Sequence, residues 1–427
     1  MKEKSLTKYF LFYYSFSLFI WFFITNIATK FAPGHFNKKI PSVSVDTLAF
    51  VKNACSASSL SEIRTYLLPE MFYYFSTKII GCNILFTGIF SNLIFTFSMF
   101  LLILSFDKFL KFKYTYLSLF LITILPTIIM WSQYVHNELF ILFGFSLLSF
   151  GLSKLSLRSN TLTENLVNIL LIVLSLAIVI YTKFYSSYFL LFYFSFFCLL
   201  AIIHKEKELL IKSIVMLSLV FSFYLYIKLN DKGNDLSERI TSNGTETITM
   251  EKGRKNYNIK FVFNKKNFDP ITKKTLIARS YSSRWLNGNT NIDQYQYFNS
   301  YLDILMYVPK ILYWSFFSFI DDNVNISKFK KMIINVEAIL VSIAVFGSLV
   351  SLLVCKFKRI IILPIYPIIM VLFFSVINLG TFFRFRGPYI IPILVIGYSL
   401  ILEYFITYLK KLKTVRSIPS LTRTFGE

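Results

Sequence analysis

Long apolar runs dominate this chain and decide what it can fold into. A helix needs about 20 mostly apolar residues to cross the roughly 30 Å of bilayer hydrocarbon, and several runs here reach that length. Inside lipid, each such run must satisfy its own backbone hydrogen bonds, which a helix does. The sequence therefore predicts an all-α, polytopic integral membrane protein and excludes a soluble enzyme.

The apolar runs define about ten predicted membrane helices, seven before a large polar region and three after it. Their predicted bounds are 9–27, 79–106, 115–131, 138–153, 166–182, 187–203, 210–228, 333–355, 360–378 and 389–408. This pattern divides the chain into three parts. An N-terminal membrane domain (1–228) includes an extracytoplasmic loop at 28–78, a large extracytoplasmic loop spans 229–332, and a C-terminal membrane domain with a cytoplasmic tail spans 333–427.

The charge distribution predicts how the chain is oriented. The net charge is 45 minus 22, or +23, which in a soluble domain would suggest nucleic-acid binding. Here the Lys and Arg residues cluster in alternate short loops, as expected for loops retained in the cytoplasm. We therefore predict a protein of the bacterial inner membrane with both termini cytoplasmic, and we expect no nucleic-acid partner.

The large loop contains two features of its own. Residues 252–284 hold ten Lys or Arg against one acid, Asp269, so either an anionic ligand or lipid headgroups would suit this surface. Residues 306–320 are apolar but short and contain Pro309. Counting them as a span would break the charge rule, so we predict an interfacial helix with Trp314 and the tyrosines at headgroup level.

Cysteine and histidine residues give no sign of a metal or disulfide site. The four cysteines are scattered, without a CxxC pair or a histidine at ligand spacing, so the sequence predicts neither a zinc site nor a disulfide framework. It also has no Walker loop, GxGxxG, HExxH or serine-nucleophile elbow. We expect no metal and no cofactor, and any activated substrate outside the cytoplasm would have to arrive attached to a lipid.

Candidate catalytic residues occur in two predicted outer segments. Asp46 lies just outside the first helix, where a carboxylate could deprotonate an acceptor hydroxyl, although helix capping would also explain it. His136 and Glu138 bracket the predicted outer turn between the third and fourth helices. The alternative is an ordinary polar turn in which Glu138 favours a helix N-terminus.

Candidate substrate-binding residues are mostly basic. Arg384 and Arg386, with Tyr389 nearby, lie in the predicted outer connection between the last two helices. Two arginines at i and i+2 of an extended segment would point the same way and could hold a pyrophosphate, unless they only snorkel to lipid phosphates. In the large loop Arg279, Arg284 and Lys310 lie among aromatics, a mixture that suits a glycan phosphate and an aromatic membrane belt equally well.

Three segments resemble bacterial surface-polysaccharide proteins, namely O-antigen polymerases and related lipid-dependent glycosyltransferases of the GT-C type. They are Pro126–Glu138, Phe298–Lys310 and Asn378–Pro388. The resemblance implies a GT-C-like fold, Arg384 and Arg386 as ligands of undecaprenyl diphosphate, and Asp46 at the position of a first-loop acid. GT-C enzymes frequently carry paired acids there, whereas Asp46 stands alone.

The function implied by this resemblance is polymerisation of a surface polysaccharide. A growing glycan would pass from undecaprenyl diphosphate to a lipid-linked repeat unit, so the expected partners are the undecaprenyl-diphosphate-linked oligosaccharide, membrane lipids and a chain-length regulator. Two alternatives stay open. One is a GT-C transferase that adds a single sugar from a polyprenyl-phosphate donor. The other is a flippase, which would be expected to carry more charged residues within its helices.

Overall fold

The structure is a computed structural model, and it is helical apart from one small sheet in the part of the chain that it describes. The described residues are 3–31, 45–63, 68–82, 84–107, 110–126, 128, 137–155, 161–182, 186–203, 205–230, 238–240, 245–252, 255–262, 301–317, 328–354 and 379–416. The helical class predicted from the apolar runs is confirmed.

Twelve α-helices, one short 3₁₀ helix and three strands make up the described elements. In chain order they are α1 (Glu3–Phe31), α2 (Val45–Ser56), the 3₁₀ helix (Leu60–Glu62), α3 (Leu68–Ile80), α4 (Ile84–Ser105), α5 (Phe112–Thr123), α6 (Asn137–Lys154), α7 (Leu162–Thr182), α8 (Ser186–Ile203), α9 (Lys207–Asn230), β1 (Glu238–Ile240), β2 (Thr245–Lys252), β3 (Lys255–Val262), α10 (Tyr301–Phe316), α11 (Lys328–Val354) and α12 (Leu379–Arg416).

Five of the described helices are long and apolar enough to cross a membrane. These spans are Ser5–Phe23, Gly88–Ser105, Leu162–Thr182, Lys331–Val350 and Arg386–Lys410. Two further predicted spans correspond to the shorter apolar helices Leu190–Ile203 and Leu210–Tyr226, and the run at 138–153 lies within α6. The predicted span at 360–378 lies outside the described residues.

The predicted run at 79–106 includes the last two residues of α3 as well as α4. Gly81 has a positive φ of 73°, a conformation that glycine adopts without the steric cost other residues incur, and it separates α3 from α4. Helix α3 therefore belongs with α2 to the first loop region, and the membrane helix α4 starts at Ile84.

Buried polar pairs fix how the first helices pack. The Asn92 amide of α4 donates a hydrogen bond to the Ser17 hydroxyl of α1 at 3.1 Å, and the hydroxyls of Tyr13 and Thr123 are 2.7 Å apart. Nearby, the ring of Trp21 lies against Gly88, where an added Cβ would meet it at 2.7 Å. Small and hydroxyl-bearing residues of this kind allow close approach and hydrogen bonding between membrane helices.

The last two long helices, α11 and α12, run parallel. Glu337 of α11 lies beside Arg386 of α12, and further towards the C-terminal end of both helices Ala344 lies against Gly397. The end of α11 and the start of α12 are thus at opposite ends of the pair. The span predicted between them, 360–378, stays a prediction.

The large loop combines a sheet with a helix. Strands β1, β2 and β3 form an antiparallel sheet in that order, an addition to the predicted all-helical architecture. The helix predicted at 306–320 is observed as α10, residues 301–316. Its Tyr307, Ile311 and Trp314 side chains are buried against the protein, and their level relative to the lipid headgroups stays a prediction.

Cys55 and Cys82 form a disulfide, with their Cα atoms 5.8 Å apart. The prediction of no disulfide framework was therefore wrong for this pair. Spacing could not reveal it, because 27 residues separate the two cysteines and they meet only when α2 packs against α3. Cys198 is a free thiol.

Candidate functional site

Among the described residues, four ionisable side chains are buried in the N-terminal halves of their helices. Glu70 in α3, Glu138 in α6, Glu337 in α11 and Arg386 in α12 are exposed by 1%, 5%, 2% and 2% respectively. Charged groups inside a membrane protein are costly, and those that a chain retains are candidates for function. We call this region the glutamate end of the helices.

The opposite end of the same helices is basic. Lys111 forms a 2.6 Å ion pair with Glu403 of α12, and the hydrogen bond to Glu403 raises the pKa of Lys111. Lys154, the last residue of α6, lies 3.5 Å from Asp107, and the Lys212 amine donates a 2.6 Å hydrogen bond to a backbone carbonyl. This lysine end lies at the helix termini remote from Glu138 and Arg386.

Arg386 joins three elements of the glutamate end. Its Nη2 atom is 3.8 Å from Oε1 of Glu337, and its Nη1 atom donates a 3.1 Å hydrogen bond to the Ser315 carbonyl of α10. Both charged side chains are almost fully buried. The guanidinium therefore connects the helix that ends the large loop to α11 and α12.

The extended segment predicted around Arg384 and Arg386 is helical instead. Both residues lie in α12, which begins at Leu379. At 3.6 residues per turn, positions i and i+2 are about 200° apart around a helix axis, so the alignment expected of an extended segment does not apply here. Pro388, which suggested a break in the sequence, is accommodated within the helix.

Glu138 lies at a small, mainly apolar pocket between α4, α6 and α12. The pocket is lined by Phe95, Ile128, Glu138, Leu139, Leu142, Gly387, Pro388 and Ile391. Two sequence predictions therefore meet here, because Glu138 shares this pocket with the residues that directly follow Arg386.

Glu70 approaches the same region from the first loop. It lies in the first turn of α3, and two residues later the ring of Phe72 contacts the ring of Phe140 in α6, with centroids 6.1 Å apart. Phe140 lies two residues after Glu138, so the first turns of α3 and α6 are neighbours.

Tyr389 lies in α12 and its side chain is fully buried. Its ring packs on Phe145 of α6 at a centroid distance of 5.8 Å. Tyr389 was predicted to bind substrate. The structure places it in the contact between α6 and α12, directly after the pocket residues Gly387 and Pro388 in the chain.

The other predicted site residues are placed less completely. Asp46 lies in the first turn of α2 and Arg384 in α12, but their side chains are outside the described part of the structure, as are His136, Arg279 and Arg284 altogether. Lys310 of α10 is exposed, with its amine 6.0 Å from the Tyr307 ring.

Comparison with known protein families, curated proteins and solved structures found no match for this chain. Within the described ranges, no three His, Cys, Asp or Glu side chains lie close enough together to hold a metal ion.

Glu337 is the site residue that sequence reasoning passed over. It was not among the predicted site residues, and its partner Arg386 is 49 residues away in the chain. The sequence signal for Glu337 was an acid within an apolar helix. Its burial beside Arg386 shows that it forms an ion pair inside the protein.

Proposed function

We propose that this protein is a membrane glycosyltransferase that polymerises a surface polysaccharide, in the manner of O-antigen polymerases. It would transfer a glycan from undecaprenyl diphosphate to a lipid-linked repeat unit at the extracytoplasmic face of the bacterial inner membrane. The observation that carries the proposal is the pocket in which Glu138 meets the start of α12 beside Arg386.

The chemistry of glycan transfer suits this arrangement. A carboxylate can accept the proton of the attacking acceptor hydroxyl, and Glu138 is the acid that lines the pocket. A diphosphate leaving group needs nearby positive charge as its own charge develops. Arg384, three residues before the pocket residue Gly387, would supply that charge.

The two arginines receive different roles in this proposal. Arg386 already contacts Glu337 and the Ser315 carbonyl, so we assign it to holding α10, α11 and α12 together. Arg384, two residues closer to the helix start, is assigned to the diphosphate. The basic segment 252–284 of the large loop would attract the anionic lipid-linked substrate towards this end of the protein.

Orientation supports the same reading. The lysine end matches loops that are retained in the cytoplasm, so the glutamate end would face outwards. Nucleotide-activated sugars are cytoplasmic, whereas a lipid-linked donor can present its sugar at the outer interface. An outward-facing acid and arginine therefore favour a lipid-linked substrate.

The test is the polysaccharide length profile of a deletion strain complemented with variants. Arg384→Ala should leave single repeat units on the lipopolysaccharide, whereas the control Arg416→Ala, at the far end of α12, should restore the full ladder. A change in repeat-unit composition would instead indicate a single-sugar transferase, and repeat units trapped at the cytoplasmic face would indicate a flippase. A full ladder in the deletion strain would exclude polymerisation.

A further inference from the structure

The disulfide between Cys55 and Cys82 closes a covalent loop around α3. Cys55 lies in the last turn of α2, and Cys82 follows α3 by two residues. Their Cα separation of 5.8 Å falls in the usual range for bonded cysteines. Glu70 and the whole of α3 are therefore contained within this covalent loop.

The loop is anchored at the glutamate end of the helices. The contact between Phe72 and Phe140 holds α3 on the first turn of α6, and the positive φ of Gly81 turns the chain from α3 into Cys82 and α4. The contacts of Lys111, Lys154 and Lys212 all lie at the opposite end. The bonded cysteines and the lysines therefore mark opposite sides of one bundle.

The disulfide and the lysine end indicate the same orientation of the bundle in the membrane. Disulfides persist in oxidising compartments and are rare in the reducing cytoplasm, whereas short lysine-rich loops are retained in the cytoplasm. Each observation independently assigns the glutamate end to the extracytoplasmic side. Cys198, within the apolar helix α8, stays a free thiol.

We propose that Cys55 and Cys82 are an oxidative modification site on the extracytoplasmic face, where the disulfide fixes α3 beside the Glu138 pocket. The proposal needs the orientation of the chain but not its glycosyltransferase activity. The co-reactant is a disulfide-carrying thiol oxidase, a protein that donates its own disulfide by exchange.

The exchange is balanced in atoms and electrons. The thiolate of one cysteine attacks a sulfur of the donor disulfide, which forms a mixed disulfide and releases one donor thiolate. The thiolate of the other cysteine then attacks the mixed disulfide and displaces the second donor thiolate. Cys55 and Cys82 together lose two protons and two electrons, and the donor leaves as a dithiol.

The first experiment measures whether the bond forms in cells. In a Cys198→Ser/Cys355→Ser variant, free thiols are blocked with N-ethylmaleimide, the protein is reduced, and maleimide-polyethylene glycol is added. We expect two additions per chain after reduction and none without it. If no addition follows reduction, both thiols were free in the cell and the proposal is overturned.

The second experiment identifies the side of the membrane. A Cys55→Ser change in the same background leaves Cys82 alone, and Cys82 is exposed. A membrane-impermeant maleimide should label it in intact spheroplasts. The control is Leu162→Cys in a variant whose four native cysteines are replaced by serine. Leu162 is 78% exposed at the start of α7, and its replacement should react with the maleimide only after permeabilisation. Labelling of Cys82 only after permeabilisation would contradict the proposal.

Discussion

Arg386 and Glu337 form a buried ion pair, with Nη2 and Oε1 3.8 Å apart and both side chains 2% exposed. A buried charge is tolerated when a partner and further hydrogen bonds replace the lost solvation. Here Glu337 supplies the opposite charge and the Ser315 carbonyl accepts one guanidinium hydrogen bond. The pair thus links the large loop to the parallel helices α11 and α12.

Removing one member of this pair should destabilise the protein strongly. Glu337→Gln leaves the Arg386 charge without its carboxylate, which costs about 3–5 kcal/mol in comparable buried pairs. We expect a clear fall in the melting temperature of the detergent-solubilised protein. Combining it with Arg386→Gln should recover part of that loss, because the two effects are coupled.

The matched control for the ion pair is Glu403→Gln at the lysine end. Lys111, its partner, is 70% exposed, and exposed pairs contribute about 0–1 kcal/mol. Its melting temperature should stay close to that of the unmodified protein. Equal losses in Glu337→Gln and Glu403→Gln would contradict the special role given to the buried pair.

Two glycines of α12 should respond to alanine in opposite ways. A Cβ on Gly397 would collide with the backbone carbonyl of Ala344 in α11, whereas a Cβ on Gly387 meets nothing within 4 Å. Forcing extra atoms into close packing typically costs about 1–3 kcal/mol, while alanine favours a helix over glycine by about 1 kcal/mol.

Thermal unfolding of the two variants measures this difference. Gly397→Ala should lower the melting temperature, and Gly387→Ala should leave it unchanged or raise it. If Gly397→Ala is as stable as Gly387→Ala, the close contact between Gly397 of α12 and Ala344 of α11 would be contradicted.

Epitope insertion should place the large loop outside the cell membrane. A tag inserted between Lys252, the last residue of β2, and Lys255, the first residue of β3, should bind antibody in intact spheroplasts. A tag after Lys205, in the turn between α8 and α9, should need permeabilisation first. If the antibody reaches the loop tag only in permeabilised cells, the proposal that glycan transfer takes place at the extracytoplasmic face would be contradicted.

Helix positions were the most predictable feature of the fold. Apolar runs such as 166–182 and 210–228 lie within observed helices because lipid forces each run to satisfy its own backbone. The break at Gly81 was missed because its neighbours are apolar on both sides and hydropathy does not report φ. The pairing of Cys55 with Cys82 also depends on how two helices pack, which no local pattern encodes.

The site was predicted in its parts but not in its arrangement. Glu138, Arg386 and Tyr389 were singled out from the sequence, and the structure places Glu138 and Tyr389 at the contact between α6 and α12. Arg386 instead contacts Glu337 of α11 and Ser315 of α10. The extended conformation expected around Arg386 was wrong because a helix tolerates Pro388 when neighbouring helices support it. Glu337 was overlooked because its importance comes from a distant partner.

The catalytic assignment is tested most directly by Glu138→Gln, which keeps the size of the side chain and removes its ability to accept a proton. Loss of a general base typically costs about 10²–10⁴ in rate. The matched control is Glu164→Gln at the start of α7, where the carboxylate is exposed and only caps the helix through Thr161. Both variants would be expressed in the deletion strain at equal membrane levels.

The deciding measurement is the polysaccharide length profile of these two strains, resolved on a gel. We predict single repeat units with Glu138→Gln and a full ladder with Glu164→Gln. A full ladder with Glu138→Gln would contradict the claim that the pocket at the glutamate end carries out glycan transfer.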